Sequence, residues 1–108
     1  MSAWTYLFAA IFLEVAGTIS MKLSEGFTKL VPSVLLFVFY IASFIALTLT
    51  LKRLDVSITY AVWSGVGTAV IALIGFVYFN EPLTALKIIS ILLIIVGVVG
   101  LNLSVKQH

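Results

Sequence analysis

LVPSVLLFVFYIASFIALTLTL, residues Leu30 to Leu51, runs for 22 positions without a charged side chain. A helix needs about 20 apolar residues to cross a hydrocarbon layer of roughly 30 Å, and this stretch fills that length. It shows no strict alternation of apolar and polar residues, so it reads as a helix and not as a barrel strand. Three further runs flank it. Trp4 to Met21 spans 18 residues with one charge, Glu14; Val56 to Phe79 spans 24 and Ile88 to Val105 spans 18, neither with any. Four membrane-crossing helices are therefore predicted, near residues 4–21, 30–51, 56–79 and 88–105, forming a single four-helix transmembrane domain over residues 1–108.

Composition agrees with that reading. The chain has 108 residues, 63% hydrophobic and 9% charged, with a mean hydropathy of +1.30. A soluble domain carries about 25% charged residues, and one this small cannot hide so much apolar surface from water. A soluble enzyme, a nucleic-acid binder and a disordered chain are all excluded. Six Lys and Arg are too few for a phosphate-tracking patch, and with no Cys there is neither a disulfide nor a thiolate site. The segments 22–29, 52–55 and 80–87 are too short for an extramembrane domain, so function is expected inside the bilayer. The N-terminal segment does not read as a cleavable signal, because it lacks a basic start and contains an acid. Asp55 is placed to cap the third helix and Pro82 suits the turn before the fourth. Glu25 and Glu81 fall in connections and read as solvated.

Basic residues concentrate on cytoplasmic loops and thereby orient a membrane chain. Here Lys22, Lys29 and Lys87 fall on one side, and Lys52, Arg53 and Lys106 on the other. The tie predicts insertion in both orientations, which an antiparallel dimer of one sequence requires.

Glu14 lies near the middle of the first span. A charged side chain at that depth costs at least ~2.5 kcal/mol on insertion scales. Low dielectric disfavours the charged form, so such a carboxylate takes up a proton or is neutralised by a cation. The two options exclude each other, which is the minimum requirement of a proton/cation exchanger. A permanently protonated, purely structural acid is the alternative, but Gln would serve that purpose without ionisation. Ala10, Gly17 and Thr18 lie three or four residues from Glu14 and share its face; all are small, leaving room for a ligand or for close packing.

Aromatic rings supply the other half of a cation site. Tyr40 is deep in the second span, and Tyr60 and Trp63, at i and i+3, face one way on the third. A ring face attracts a desolvated cation by about 2 kcal/mol. Trp4, Tyr6 and Tyr78 fit an interfacial aromatic belt instead. The buried Tyr40 hydroxyl needs a partner, and Ser43, at i+3, is the candidate. Ala61, Gly65 and Ala69 form a small-residue seam, while Gly65 and Gly67 form a candidate hinge for a two-state gate. Ser90, Gly97 and Ser104 recur every seven residues on the fourth span, a narrow stripe suited to a dimer seam. His108 stands alone, and no catalytic set, phosphate loop, metal-ligand spacing or cofactor motif is present.

Several segments together resemble the small multidrug resistance transporters over essentially the whole chain. They are Leu13-Glu14-Val15-Ala16-Gly17-Thr18, Met21-Lys22 with Ser24-Glu25-Gly26-Phe27, Pro32-Ser33, Tyr60-Ala61-Val62-Trp63-Ser64-Gly65-Val66-Gly67, Gly97 and Asn102. The resemblance implies an antiparallel, dual-topology homodimer in the cell membrane, with helices one to three lining the pocket and helix four the seam. It implies export of lipophilic cations against protons, both served by Glu14, with no cofactor and no enzymatic reaction. Some members work as heteromeric pairs. Guanidinium exporters of the family carry Trp three residues after the central acid; here that residue is Gly17, which resembles the quaternary-ammonium subtype. Ser90, Asp55 and Ser57 depart from the usual Gly, Pro and Gly at their positions. The alternatives are a guanidinium-type small-cation exporter and, in another class, a non-transporting structural or regulatory subunit.

Overall fold

The computed structural model describes residues 2–106, so His108 lies outside the described residues. Four helices follow the four apolar runs: α1 (Ala3–Leu23), α2 (Leu30–Thr50), α3 (Val56–Tyr78) and α4 (Ala85–Lys106). Each is long and apolar enough to cross a membrane, and no strand occurs among the described residues. This is a multi-pass all-α membrane protein. The chain divides between Leu54 and Asp55 into two compact units, each a pair of helices.

In the first unit α1 starts where the Ser2 side chain accepts a hydrogen bond from the Thr5 amide at 3.3 Å. It stops at Ser24, a buried residue whose hydroxyl donates to the Met21 carbonyl at 2.7 Å and accepts from the Phe27 amide at 3.2 Å. Glu25, Gly26 and Phe27 then follow one another at φ values of 48°, 72° and 68°. Three left-handed residues in succession reverse the chain at once, and only Gly26 takes that conformation without steric cost. Pro32 sits in the first turn of α2, where a missing amide hydrogen leaves no helical bond unmade. α1 and α2 pack against each other, close enough for the Ser43 hydroxyl to donate to the Ala10 carbonyl at 2.8 Å. Both residues are 0% exposed, so this bond ties the Ser43 side chain of α2 to the α1 backbone where no water can compete.

In the second unit Asp55 occupies the N-cap position of α3, but its side chain makes no capping bond. The capping expectation is thus corrected. Only the Asp55 carbonyl acts, accepting from the Thr59 amide at 2.9 Å. α3 runs as α-helix through both Gly65 and Gly67. A Cβ at Gly65 would stand 2.8 Å from Cγ2 of Val98 and 3.3 Å from Cγ2 of Ile94, so this glycine lets α4 lie against α3. Beyond α3, Asn80 turns the chain at φ 56°, and the Glu81 amide returns to the Gly75 carbonyl at 3.0 Å. The Glu81 carboxylate folds onto Gly75 and is half-buried, not solvated as its loop position suggests. Thr84 caps α4 by accepting from the Lys87 amide at 3.1 Å.

Replacing Gly65 by Ala should loosen the α3–α4 hairpin. Overpacking costs about 1–3 kcal/mol and the gain in helix propensity returns about 1, for a net loss near 1 kcal/mol. Adding Val98→Ala should recover most of that loss, read as unfolding free energy in mixed detergent micelles; simple additivity of the two changes would contradict the contact.

Candidate functional site

Glu14 lies in the central turns of α1 and is half-buried. One turn on, the Thr18 hydroxyl donates to Glu14 Oε1 at 3.0 Å. The same Thr18 oxygen lies 2.8 Å from the Tyr40 hydroxyl on α2. A hydroxyl has one proton, so while Thr18 donates to the carboxylate, Tyr40 must donate to Thr18. The result is a directed chain, Tyr40 to Thr18 to Glu14, in which each hydroxyl strengthens the next bond toward the acid.

Gly17 makes this chain possible. A Cβ there would meet the Tyr40 ring at 3.1 Å, so the ring rests where a side chain would otherwise stand. Phe44, one turn along α2, stacks with the ring at 6.3 Å and 16°. The expectation that Ser43 partners Tyr40 is corrected: Ser43 bonds the Ala10 carbonyl across the hairpin, and Thr18 partners the tyrosine. Sequence reasoning missed the pairing because it looked along α2, whereas the partner lies on α1. Ala10 and Ser43, expected beside the ligand, are sealed in the α1–α2 contact. Glu14, Gly17, Thr18 and Tyr40 are brought together.

On α3, Tyr60 and Trp63 do meet as the i, i+3 spacing predicts, with ring centroids 5.4 Å apart and planes at 71°. Tyr60 is 64% exposed. The Trp63 indole nitrogen is buried without a hydrogen-bond partner among the described residues, as is the Thr59 hydroxyl. An unmet buried donor costs about 1–3 kcal/mol, so Trp63 holds a donor in want of an acceptor. On α4, no residue from 85 to 104 is buried. Ser90, Gly97 and Ser104 are all exposed, and a Cβ at Gly97 would meet nothing within 4 Å. No group of three or more potential metal ligands occurs among the described residues.

The sequence profile described as Small Multidrug Resistance protein matches residues 2–94. The chain belongs to the small multidrug resistance family. It is 60% identical over 100 residues to the uncharacterized membrane protein YvaE of Bacillus subtilis, covering 93% of this chain and 84% of that one. It is 46% identical over 103 residues to the multidrug transporter EmrE of Escherichia coli, covering 95% and 94%. With the quaternary ammonium compound-resistance protein QacC of Staphylococcus aureus it shares 39% over 105 residues, covering 97% and 98%. As a member of the small multidrug resistance family, the chain combines its four spans with one intramembrane acid on α1.

If Gly17 seats Tyr40 on Thr18, then Gly17→Ala and Tyr40→Phe should each cost about 1 kcal/mol of stability, the worth of one hydrogen bond, and Thr18→Val, which also removes the bond to Glu14, about twice that. The three should be strongly non-additive, since each removes the same bond. Additive losses in a double-mutant cycle of Thr18→Val with Tyr40→Phe would show that the two hydroxyls act separately.

Proposed function

We propose that the chain is a proton-coupled antiporter that exports lipophilic and quaternary ammonium cations. The observation that carries this reading is the single carboxylate in the central turns of α1, served by a hydroxyl chain. A carboxylate bonded this way is an acceptor for a proton or a counter-ion for a cation, but not both at once. Relatives named for multidrug and quaternary ammonium resistance support the same reading.

The substrate class follows from chemistry at position 17. With Gly there, the Tyr40 ring lies against α1; the Trp expected of guanidinium exporters and this ring position would exclude one another. An aromatic lining of Tyr40, Tyr60 and Trp63 favours bulky, weakly hydrated cations. Ser43 and Ala10 hold α1 and α2 together.

The working unit is an antiparallel homodimer in this proposal. Support comes from the even split of Lys and Arg, from an α4 with no buried residue between 85 and 104, and from a Trp63 donor unmet among the described residues. α4, with Ser90 and Gly97, forms the seam. The two Glu14 carboxylates, one from each subunit, face a common cavity. A cation enters from one side and displaces protons, and the subunits exchange shapes with Gly65 and Gly67 absorbing the bend in α3. Protons from the other side then release the cargo. Identical subunits make the two end states equal in energy, so the proton gradient alone sets direction.

Competition fixes the sign of the pH dependence: tetraphenylphosphonium affinity should fall as pH falls, and binding should release protons. Calorimetry in buffers of different ionisation enthalpy counts those protons. Glu14→Gln should lower affinity at least tenfold, about 1.4 kcal/mol, and should abolish both proton release and pH dependence. Persistent pH dependence in that variant would remove Glu14 from the mechanism, and absence of any ligand binding by the native protein would favour a structural subunit.

A further inference from the structure

The first hairpin carries two concavities whose linings include neither Glu14, Thr18 nor Tyr40, although Phe44 of the second also stacks on Tyr40. One, of about 290 Å³, lies where α1 begins and α2 ends and is lined by Ala3, Tyr6, Leu49, Lys52 and Arg53. The other, of about 370 Å³ and more open, runs along α2 beside Ile41, Phe44, Ile45, Thr48 and Leu49. Leu49 belongs to both. Between Leu49 and Ile41 the helix rises about 12 Å, from its end toward the middle of the span. A basic hollow and an apolar groove along α2 thus meet at Leu49.

The six basic residues tie in number across the two ends of the spans, but they differ in partners. Lys29 pairs with Glu25 at 3.5 Å, Lys87 donates to the Pro82 carbonyl at 2.8 Å, and Lys22 is also engaged. Lys52 and Arg53 are exposed, and neither side chain has an ion pair or hydrogen bond among the described residues. Trp4, in the same first turn of α1 as Ala3 and Tyr6, lies tilted toward Phe8 with ring centroids 6.5 Å apart, placing aromatic rings at this level.

We propose that this pair of concavities holds an anionic phospholipid. The headgroup phosphate takes hydrogen bonds from Arg53, Lys52 and the Tyr6 hydroxyl, and one acyl chain lies in the α2 groove. Guanidinium and ammonium groups are the usual phosphate donors, and each basic residue near an anionic surface contributes about 1 kcal/mol. A free phosphate ion would fill the basic hollow alone; the groove continuing from Leu49 argues for a ligand with a tail. The proposal does not rest on Glu14 or on the transport reading.

Native mass spectrometry of the detergent-purified protein, titrated with phosphatidylglycerol or phosphatidylcholine, tests this without reference to membrane orientation. Phosphatidylglycerol should be retained preferentially. The double variant Lys52→Gln/Arg53→Gln should weaken that retention roughly 25-fold, about fivefold per cation, and Tyr6→Phe should weaken it several-fold. Lys22→Gln/Lys29→Gln, which removes equal charge from the other end, should change it by less than about twofold if the site and not bulk charge is responsible. Equal losses in the two double variants would overturn the proposal in favour of general electrostatics. Displacement of the lipid by millimolar inorganic phosphate would overturn the lipid assignment. Unchanged lipid retention with a shifted monomer–dimer balance in Lys52→Gln/Arg53→Gln would assign the surface to a second copy.

Discussion

A carboxylate inside a bilayer must be neutralised, and the first hairpin is organised around that need. Glu14 has Thr18 one turn away on its own helix, and Thr18 in turn holds Tyr40 from α2. The second contact does not survive unless α1 and α2 run close together at this height. The Ser43–Ala10 bond, on the same two helices, secures that approach. In hydrocarbon there is no water to replace a lost partner, so helix packing and the state of the acid depend on each other.

Glycine serves two different ends in the two hairpins. At Gly17 the missing side chain is replaced by the Tyr40 ring, bringing a polar group onto α1. At Gly65 it is replaced by Val98 and Ile94, bringing one apolar helix against another. Only the first has a chemical consequence, because it determines which atoms reach the carboxylate. The second gives α3 and α4 a tight contact at one height. Any bending at Gly65 during transport must therefore carry α4 along or break that contact.

The ends of the helices show how a count of charges differs from their availability. An even split of basic residues weakens any preference in orientation. Lys29 and Lys87 are nevertheless engaged by their own loops, whereas Lys52 and Arg53 extend free from the end of α2. Free cations at the level of aromatic rings meet headgroups directly, and paired ones do so at the cost of their internal contacts.

Much of the fold was legible in the residues alone. Four spans follow from run length, and α1 to α4 differ from the expected limits by at most three residues. Glu14 stands out because an acid within an apolar run is costly wherever its neighbours lie. The Tyr60–Trp63 pair follows from helical spacing, a local property that holds before any packing. Contacts between helices were another matter. That Tyr40 bonds Thr18 and not Ser43, that Gly17 seats a ring, that Gly65 receives Val98, and that Lys52 and Arg53 share a hollow with Ala3 and Tyr6 all depend on the register of one helix against its neighbour. Many side chains jointly set that register, and intrahelical periodicity carries no record of it.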